Sequence, residues 1–136
     1  MHSSRELNLE SRIESVDAAA ASAESFAREI GFDDGSISAI DLAVRESVAN
    51  AVKHGNKFDP VKTVDVRFSD VDRGLEITVR DHGSGFSVDE IDDPTQPENL
   101  LKANGRGILF MRSFMDEVEW FAPPGGGSLV KMLKKR

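Results

Sequence analysis

The chain has 136 residues, a formal net charge of −7 and no cysteine. This length is usual for a single domain, so we expect one folded unit over residues 1–136. The negative charge argues against direct nucleic-acid binding, because that affinity comes mainly from neutralised phosphates. The lack of cysteine excludes disulfides and thiolate metal sites, and no apolar run approaches the ~20 residues of a membrane span. We therefore expect a cytoplasmic protein that does not contact a membrane.

Two helical patterns occupy the N-terminal part of the chain. Apolar residues within residues 13–30 recur at spacings of three and four, and Gly31 follows where a helix C-cap belongs. A second apolar stripe lies within residues 37–52, with Ser36 as a candidate cap at its start and Gly55 at its end. The polar residues on the opposite side of this second helix are Glu46, Asn50 and Lys53.

Two segments after the second helix alternate apolar and polar residues as strands do. These are residues 63–68 and 75–80, with turn-forming residues 70–74 between them. The pattern predicts an antiparallel hairpin. Asp81 follows where the second strand ends, so we expect its side chain to emerge exposed at the edge of the sheet.

A long segment with little periodicity separates this hairpin from the C-terminal elements. Residues 88–104 include two prolines, and a loop of this length inside a compact domain is usually functional or disordered. We predict a mobile lid around residues 88–106. A third helix is expected to begin near Gly107, and a closing hairpin to join residues 118–120 to residues 129–132 through a glycine-rich turn.

Three short motifs carry the candidate chemistry. They are Glu46-x-x-x-Asn50, the Asp-x-Gly-x-Gly that begins at Asp81, and Gly105-Arg106-Gly107. Carboxylates and amides can hold a metal or a base edge, and glycines with free amides let the backbone approach phosphates. Each motif alone has a plain alternative: a solvated helix face, a turn or a flexible helix start. Because the common phosphate-binding glycine loops are absent, the three together predict an ATP site of another kind.

The three motifs resemble the N, G1 and G2 boxes of the GHKL ATPases, and more narrowly those of the small anti-sigma factor serine kinases. The resemblance extends from about Leu7 to Leu133. It implies an α+β, two-layer α/β sandwich of the Bergerat fold, in which helices cover one face of a mixed, mostly antiparallel sheet. The matching stretches are Glu46-Ser-Val-Ala-Asn50-Ala-Val-Lys-His54-Gly-Asn56, Asp81-His-Gly-Ser-Gly85-Phe86 and Gly105-Arg-Gly-Ile-Leu-Phe-Met-Arg112.

The resemblance also implies a task for each matching residue. Glu46 would be the catalytic base, and Asn50 would hold a Mg²⁺ that bridges the phosphates of ATP. Asp81 would accept a hydrogen bond from the adenine amino group. The other cofactor-binding residues that it implies are Gly83, Gly85 and Phe86 in the second motif, Gly105, Arg106 and Gly107 around the phosphates, Lys53 and His54 as further phosphate ligands, and Ser128, where the family often has threonine near adenine.

Three functional hypotheses follow from the resemblance. In the one we favour, the chain is a protein serine kinase that phosphorylates a small anti-anti-sigma antagonist of the STAS type and sequesters a sigma factor, or an analogous regulator, by partner switching. In the second it is the detached catalytic domain of a histidine kinase, although no helical segment offers a phosphoacceptor histidine with a dimerisation hairpin. In the third it binds nucleotide without chemistry, against which the presence of Glu46 weighs. The resemblance further implies a homodimer, for which the sequence gives no independent support.

Overall fold

The computed structural model describes residues 3–83 and 111–136. The lid predicted around residues 88–106 and the helix start predicted near Gly107 lie outside the described residues. Within the described ranges, residues 111–114 are helical. The remaining elements are β1 (Ser4–Glu10), α1 (Glu14–Glu29), α2 (Asp34–Asn50), a π-helical turn (Ala51–Gly55), β2 (Thr63–Val71), β3 (Gly74–Arg80), β4 (Glu117–Phe121) and β5 (Leu129–Lys135).

The described strands form one sheet in the order β1-β2-β3-β5-β4, and every pairing between them is antiparallel. Both predicted hairpins, β2 with β3 and β4 with β5, are confirmed. The closing hairpin joins the sheet through β5, which pairs with β3 so that Arg80 stands opposite Leu129. The chain that follows β3 therefore emerges beside the chain that enters β5. This pairing of β3 with β5 brings Asp81 close to Ser128.

The two α-helices cover one face of the sheet. Phe26 of α1 and Phe68 of β2 stack across this interface with their ring centroids 5.9 Å apart. Buried apolar residues alternate along the strands, as expected where only one face is covered. The strand residues in the core include Val64, Val66, Phe68, Leu75, Ile77 and Val79, and those of α2 include Ile37, Ile40, Val44 and Val48. The predicted α+β, two-layer fold is confirmed.

The ends of the two helices follow local hydrogen bonding. Gly31 has a φ of +95°, which glycine adopts without strain after a helix end, as predicted. Ser36, however, does not cap α2, because Asp33 is the N-cap and its side chain accepts a hydrogen bond from the Ser36 amide at 2.8 Å. That hydrogen bond lowers the pKa of the Asp33 carboxyl below its ordinary value. Neither helix is long and apolar enough to cross a membrane in the part of the chain that the structure describes.

The strand β1 was not predicted from the sequence. It pairs with β2 over its whole length, from Ser4 opposite Ser69 to Glu10 opposite Thr63. Its apolar side chains are Leu7 and Leu9, and both are only partly buried against the core. The alternation of an edge strand with so few apolar residues is too short to stand out from a charged segment.

Candidate functional site

A cavity of about 180 Å³ opens between the C-terminal end of α2 and the sheet where β3 ends and β5 begins. The polar residues that line it are Ser47, Asn50, His54, Asp81 and Ser128. The apolar residues that line it include Val79, Met111, Trp120 and Val130. The fold therefore brings together four of the predicted site residues that are far apart in the sequence: Asn50, His54, Asp81 and Ser128.

Asp81 is buried rather than exposed, with a relative exposure of 5%. Its Oδ1 accepts hydrogen bonds from the backbone amides of Gly83 at 3.1 Å and Ser128 at 3.2 Å. Its Oδ2 accepts the hydroxyl of Ser128 at 2.6 Å. A carboxylate has about four acceptor positions, so one position on Oδ2 remains for a donor in the cavity. The expected exposure of Asp81 was wrong because Ser128, the residue before β5, supplies partners beyond the end of β3.

Three glycines lie where backbone segments pack around Asp81 too closely for a side chain. A Cβ on Gly55 would lie 2.3 Å from the Oδ2 of Asp81, and a Cβ on Gly83 would lie 1.9 Å from the carbonyl oxygen of Gly55. Gly127 has a φ of +77°, and a Cβ there would lie 2.0 Å from the carbonyl oxygen of Asp81. Gly83 was predicted to bring the backbone close to a base, and in the structure it allows the chain to touch the π-helical turn. The glycines thus hold the carboxylate between three backbone segments.

Asn50 is the last residue of α2 and lines the same cavity. Its side-chain Nδ2 is buried and has no hydrogen-bond partner among the described residues. Leaving a buried donor unpaired costs roughly 1–3 kcal/mol, so the unpaired donor is evidence for a ligand that would pair it. A side-chain amide can donate to a phosphate oxygen and can offer its carbonyl oxygen to a hard cation. These properties fit a nucleotide phosphate with its cation.

Glu46 lies one helical turn before Asn50 and is partly exposed. Residues at this spacing share a face of a helix, with Cβ atoms about 5–6 Å apart. The Glu46 side chain forms no salt bridge with another described residue and lies just outside the residues that line the cavity. Lys53 is exposed and also lies outside the cavity lining. Glu46 and Asn50 therefore lie on the same face of α2, and of the two only Asn50 lines the cavity.

The remaining predicted site residues cannot be placed in the same way. They lie outside the described residues, and they are Gly85, Phe86, Gly105, Arg106 and Gly107. Among residues 3–83 and 111–136, no three His, Cys, Asp or Glu side chains come together as a metal site.

Two residues of the site were not assigned a role from the sequence. Gly127 was predicted only as part of a turn, and Asn56 was quoted within the first motif without a task. Asn56 is 2% exposed, and its Oδ1 accepts a hydrogen bond from the His82 amide at 2.8 Å. A polar residue directly after the glycine that ends a helical pattern was the available signal, but no local pattern shows which distant amide it will contact.

The side chain of His82 turns away from the cavity to the face of the sheet opposite the helices. Its Nε2 lies 2.5 Å from the Oδ2 of Asp65. Burial is the largest influence on Asp65 and raises its pKa, but hydrogen bonds from His82, Asn8 and Thr63 outweigh it and hold the pKa below its ordinary value. This contact anchors the residue after Asp81 to β2.

The chain matches known proteins over most of its length. The family model of the histidine kinase-like ATPase domain matches residues 9–134. The Anti-sigma F factor of Anoxybacillus flavithermus is 35% identical over 99 residues, which are 70% of this chain and 66% of that protein. The Anti-sigma F factor of Halalkalibacterium halodurans is 41% identical over 101 residues, which are 71% of this chain and 66% of that protein.

A solved structure gives the same fold. The crystal structure of the RsbU and RsbW domains of a Mycobacterium tuberculosis protein superposes with a TM-score of 0.68 at 18% sequence identity. The match covers 98% of this chain and 32% of that chain. At this identity the likeness concerns the fold alone.

The chain therefore belongs to the histidine kinase-like ATPase domain family, and membership implies that it binds ATP. The resemblance to the GHKL ATPases and to anti-sigma factors that the sequence predicted is confirmed. The chain spans about two-thirds of the length of these curated relatives, at 66% of each.

Proposed function

We propose that the chain is an ATP-dependent protein serine kinase that acts as an anti-sigma factor. One observation carries the proposal: a buried carboxylate with an acceptor position left, at Asp81, shares a cavity with Asn50, whose side-chain nitrogen has no hydrogen-bond partner among the described residues. In a chain of the histidine kinase-like ATPase family, this pair fits the two ends of ATP. The adenine would lie at Asp81 and the phosphates at Asn50.

The adenine end is a carboxylate next to apolar walls. The remaining acceptor position on Asp81 would receive a hydrogen from the adenine amino group, while the Ser128 hydroxyl keeps the carboxylate oriented. Aromatic and apolar side chains such as Trp120, Met111 and Val79 line the cavity and are suited to the face of a base. Gly85 and Phe86 would complete this end.

The phosphate end would be built around Asn50 and Glu46. When bound, ATP supplies the transferable phosphoryl group and Mg²⁺ neutralises its charge. Asn50 would bind the Mg²⁺, and Glu46 would orient the serine hydroxyl and accept its proton as the hydroxyl oxygen bonds to the γ-phosphorus and the bond to ADP breaks. The further phosphate ligands that we propose are Lys53, His54, Gly105, Arg106 and Gly107.

The partners that we propose are a small antagonist protein, which is phosphorylated on serine, and a sigma factor or analogous regulator. The names of the curated relatives, both Anti-sigma F factor, support this choice. In partner switching, the chain would hold the sigma factor until the unphosphorylated antagonist displaces it. The homodimer and the cytoplasmic location remain predictions from the sequence.

The test is transfer of label from γ-labelled ATP with Mg²⁺ into a lysate of the source cell. Glu46→Gln serves as the control, because it keeps the shape of the side chain and removes the base. The proposal predicts an acid-stable label on a small protein that is lost with Glu46→Gln, while the variant still binds ATP. General bases contribute roughly 10²–10⁴-fold to rate, so the loss should be complete within detection.

Two other outcomes would overturn the kinase assignment. An acid-labile label would indicate phosphohistidine chemistry and the catalytic domain of a histidine kinase. Bound ATP without any Glu46-dependent label would indicate a nucleotide-binding module.

A further inference from the structure

Asn56 uses every hydrogen-bonding group of its side chain inside the protein. Its Nδ2 donates to the Ser11 hydroxyl and to the Thr63 carbonyl oxygen, each at 2.9 Å. Its Oδ1 accepts the His82 amide at 2.8 Å. One side chain thereby joins the turn after α2 to the end of β1, the start of β2 and the segment that contains Asp81.

The bond to His82 controls the peptide directly after Asp81. That amide belongs to the peptide plane between Asp81 and His82, so fixing it limits rotation of the Asp81 backbone. On the other side of the contact, Gly55 and Gly83 leave no space for a side chain between the two segments. Among the contacts that hold Asp81, the bond from His82 to Asn56 is therefore one that ties its segment to the turn after the helix that carries Asn50 and Glu46.

The backbone after Asn56 shows that this position is held against local preference. Lys57 and Phe58 have φ angles of 51° and 59°, in the left-handed region that bulky residues rarely adopt. The strained segment is fixed by hydrogen bonds from the Phe58 amide to the Val52 carbonyl oxygen at 2.9 Å and from the Asp59 amide to the Asn56 carbonyl oxygen at 3.0 Å. Strain of this kind persists where the surroundings over-determine the backbone, typically at functional sites.

We propose that Asn56 is a positioning residue that sets the purine selectivity of the site through the His82 amide. The inference rests on the proposed contact between Asp81 and the adenine amino group. Hypoxanthine, the base of ITP, has a carbonyl oxygen where adenine has this amino group. A correctly placed carboxylate therefore favours the binding of ATP over that of ITP. Without Asn56 the peptide between Asp81 and His82 loses its hydrogen bond on the side of α2, while the bonds of Asp81 to Ser128 and Gly83 remain. The carboxylate is then less precisely placed, and the ratio of the two affinities falls.

The experiment measures the dissociation constants of ATP and ITP, with Mg²⁺, for the wild type, Asn56→Ala and Ser11→Ala. Thermal unfolding first defines a temperature at which each protein is folded. Asn56→Ala should weaken ATP binding at least ~tenfold and ITP binding much less, since a hydrogen bond to a charged group is lost only with ATP. Ser11→Ala is the matched control, because it removes one Asn56 partner and destabilises the same buried cluster but keeps the bond to His82.

A wild-type ratio of affinities in folded Asn56→Ala would overturn the inference, and so would an equal fall in the ratio for Ser11→Ala. If Asn56→Ala does not fold, Asn56→Ser replaces it, because its shorter, uncharged side chain keeps a polar group in the cluster but places no oxygen at the position that accepts the His82 amide. The preference for ATP must fall in that variant too, and a wild-type preference contradicts the proposal. Failure of the proposed contact between Asp81 and adenine gives a different result, since the wild type would then not distinguish ATP from ITP, and failure of the kinase assignment is seen only in the transfer of label and not in these affinities.

Discussion

The Asp81 end and the Asn50 end of the cavity differ in how fully the protein satisfies its own polar groups. Asp81 accepts three hydrogen bonds from described residues, whereas the side-chain nitrogen of Asn50 donates none to them. Both side chains line one cavity, so the difference does not come from burial alone. The carboxylate end is organised before a ligand arrives, and the amide end depends on a ligand for its partner.

This difference indicates which groups of the site are fixed by folding and which are left for a ligand to bind. The partners of Asp81 come from the backbone next to it and from the residue that enters β5, so they form when the sheet forms. Asn50 is carried by α2, whose orientation is determined by its apolar stripe against the sheet. The packing of α2, and not a hydrogen bond of its own, therefore places the Asn50 side chain at the cavity. A site of this kind recognises the base by preorganisation and binds the phosphates with groups left unpaired.

The largest effect is expected where the organised end is broken sterically. Gly55→Ala would place a methyl group 2.3 Å from the Oδ2 of Asp81, which must then move. We expect ATP affinity to fall more than ~100-fold, because the carboxylate and the backbone around it shift together. Gly35→Ala is the control, since its nearest heavy atom would be 3.7 Å away, and calorimetric titration should find its affinity unchanged. Normal ATP binding by Gly55→Ala would show that Asp81 does not recognise the nucleotide.

A smaller effect is expected when the acceptor is changed without steric disturbance. Asp81→Asn should weaken ATP binding roughly 10- to 100-fold, because a hydrogen bond to a charged acceptor is lost. The variant should also unfold at a lower temperature than the wild type, since the carboxylate is buried and accepts hydrogen bonds from Gly83 and Ser128. Calorimetry of binding and of unfolding measures both. Unchanged stability would mean that this end is less organised than its hydrogen bonds indicate.

At the Asn50 end of the cavity, removing the polar group is expected to stabilise the nucleotide-free protein rather than destabilise it. Asn50→Leu removes a buried donor that has no hydrogen-bond partner in residues 3–83 and 111–136, so without nucleotide it should raise the free energy of unfolding by up to about 2 kcal/mol. The same variant should lose Mg²⁺-dependent ATP binding. Asn8→Leu is the control, because the Asn8 amide already donates to Asp65 at 2.8 Å and its removal should give no gain. Urea denaturation of the nucleotide-free proteins measures the free energy of unfolding of both variants. If Asn50→Leu were destabilised, the proposed difference between the Asp81 and Asn50 ends would be wrong.

Sequence periodicity was sufficient for α1, α2 and both hairpins, because one-sided burial imposes regular apolar spacing on each element. It failed at β1, where only Leu7 and Leu9 face the core. The motifs indicated several residues of the cavity, but they did not indicate how deeply each is buried or which groups it bonds. The partners of Asp81 include Ser128, 47 residues away, and such a contact follows from strand order, which no local pattern encodes.

The smallest effect is expected far from both ends, at the N-cap of α2. Asp33→Ala removes the hydrogen bond to the Ser36 amide and should lower the Tm by a few degrees without changing ATP affinity. The folded pKa of Asp33 is depressed, so the stabilisation is present above the unfolded pKa and is lost as the pH falls through the folded value. The difference in Tm between the wild type and Asp33→Ala should therefore shrink in acid. A difference that stayed constant between pH 7 and about pH 2.5 would show that the charge of Asp33 does not contribute to the cap.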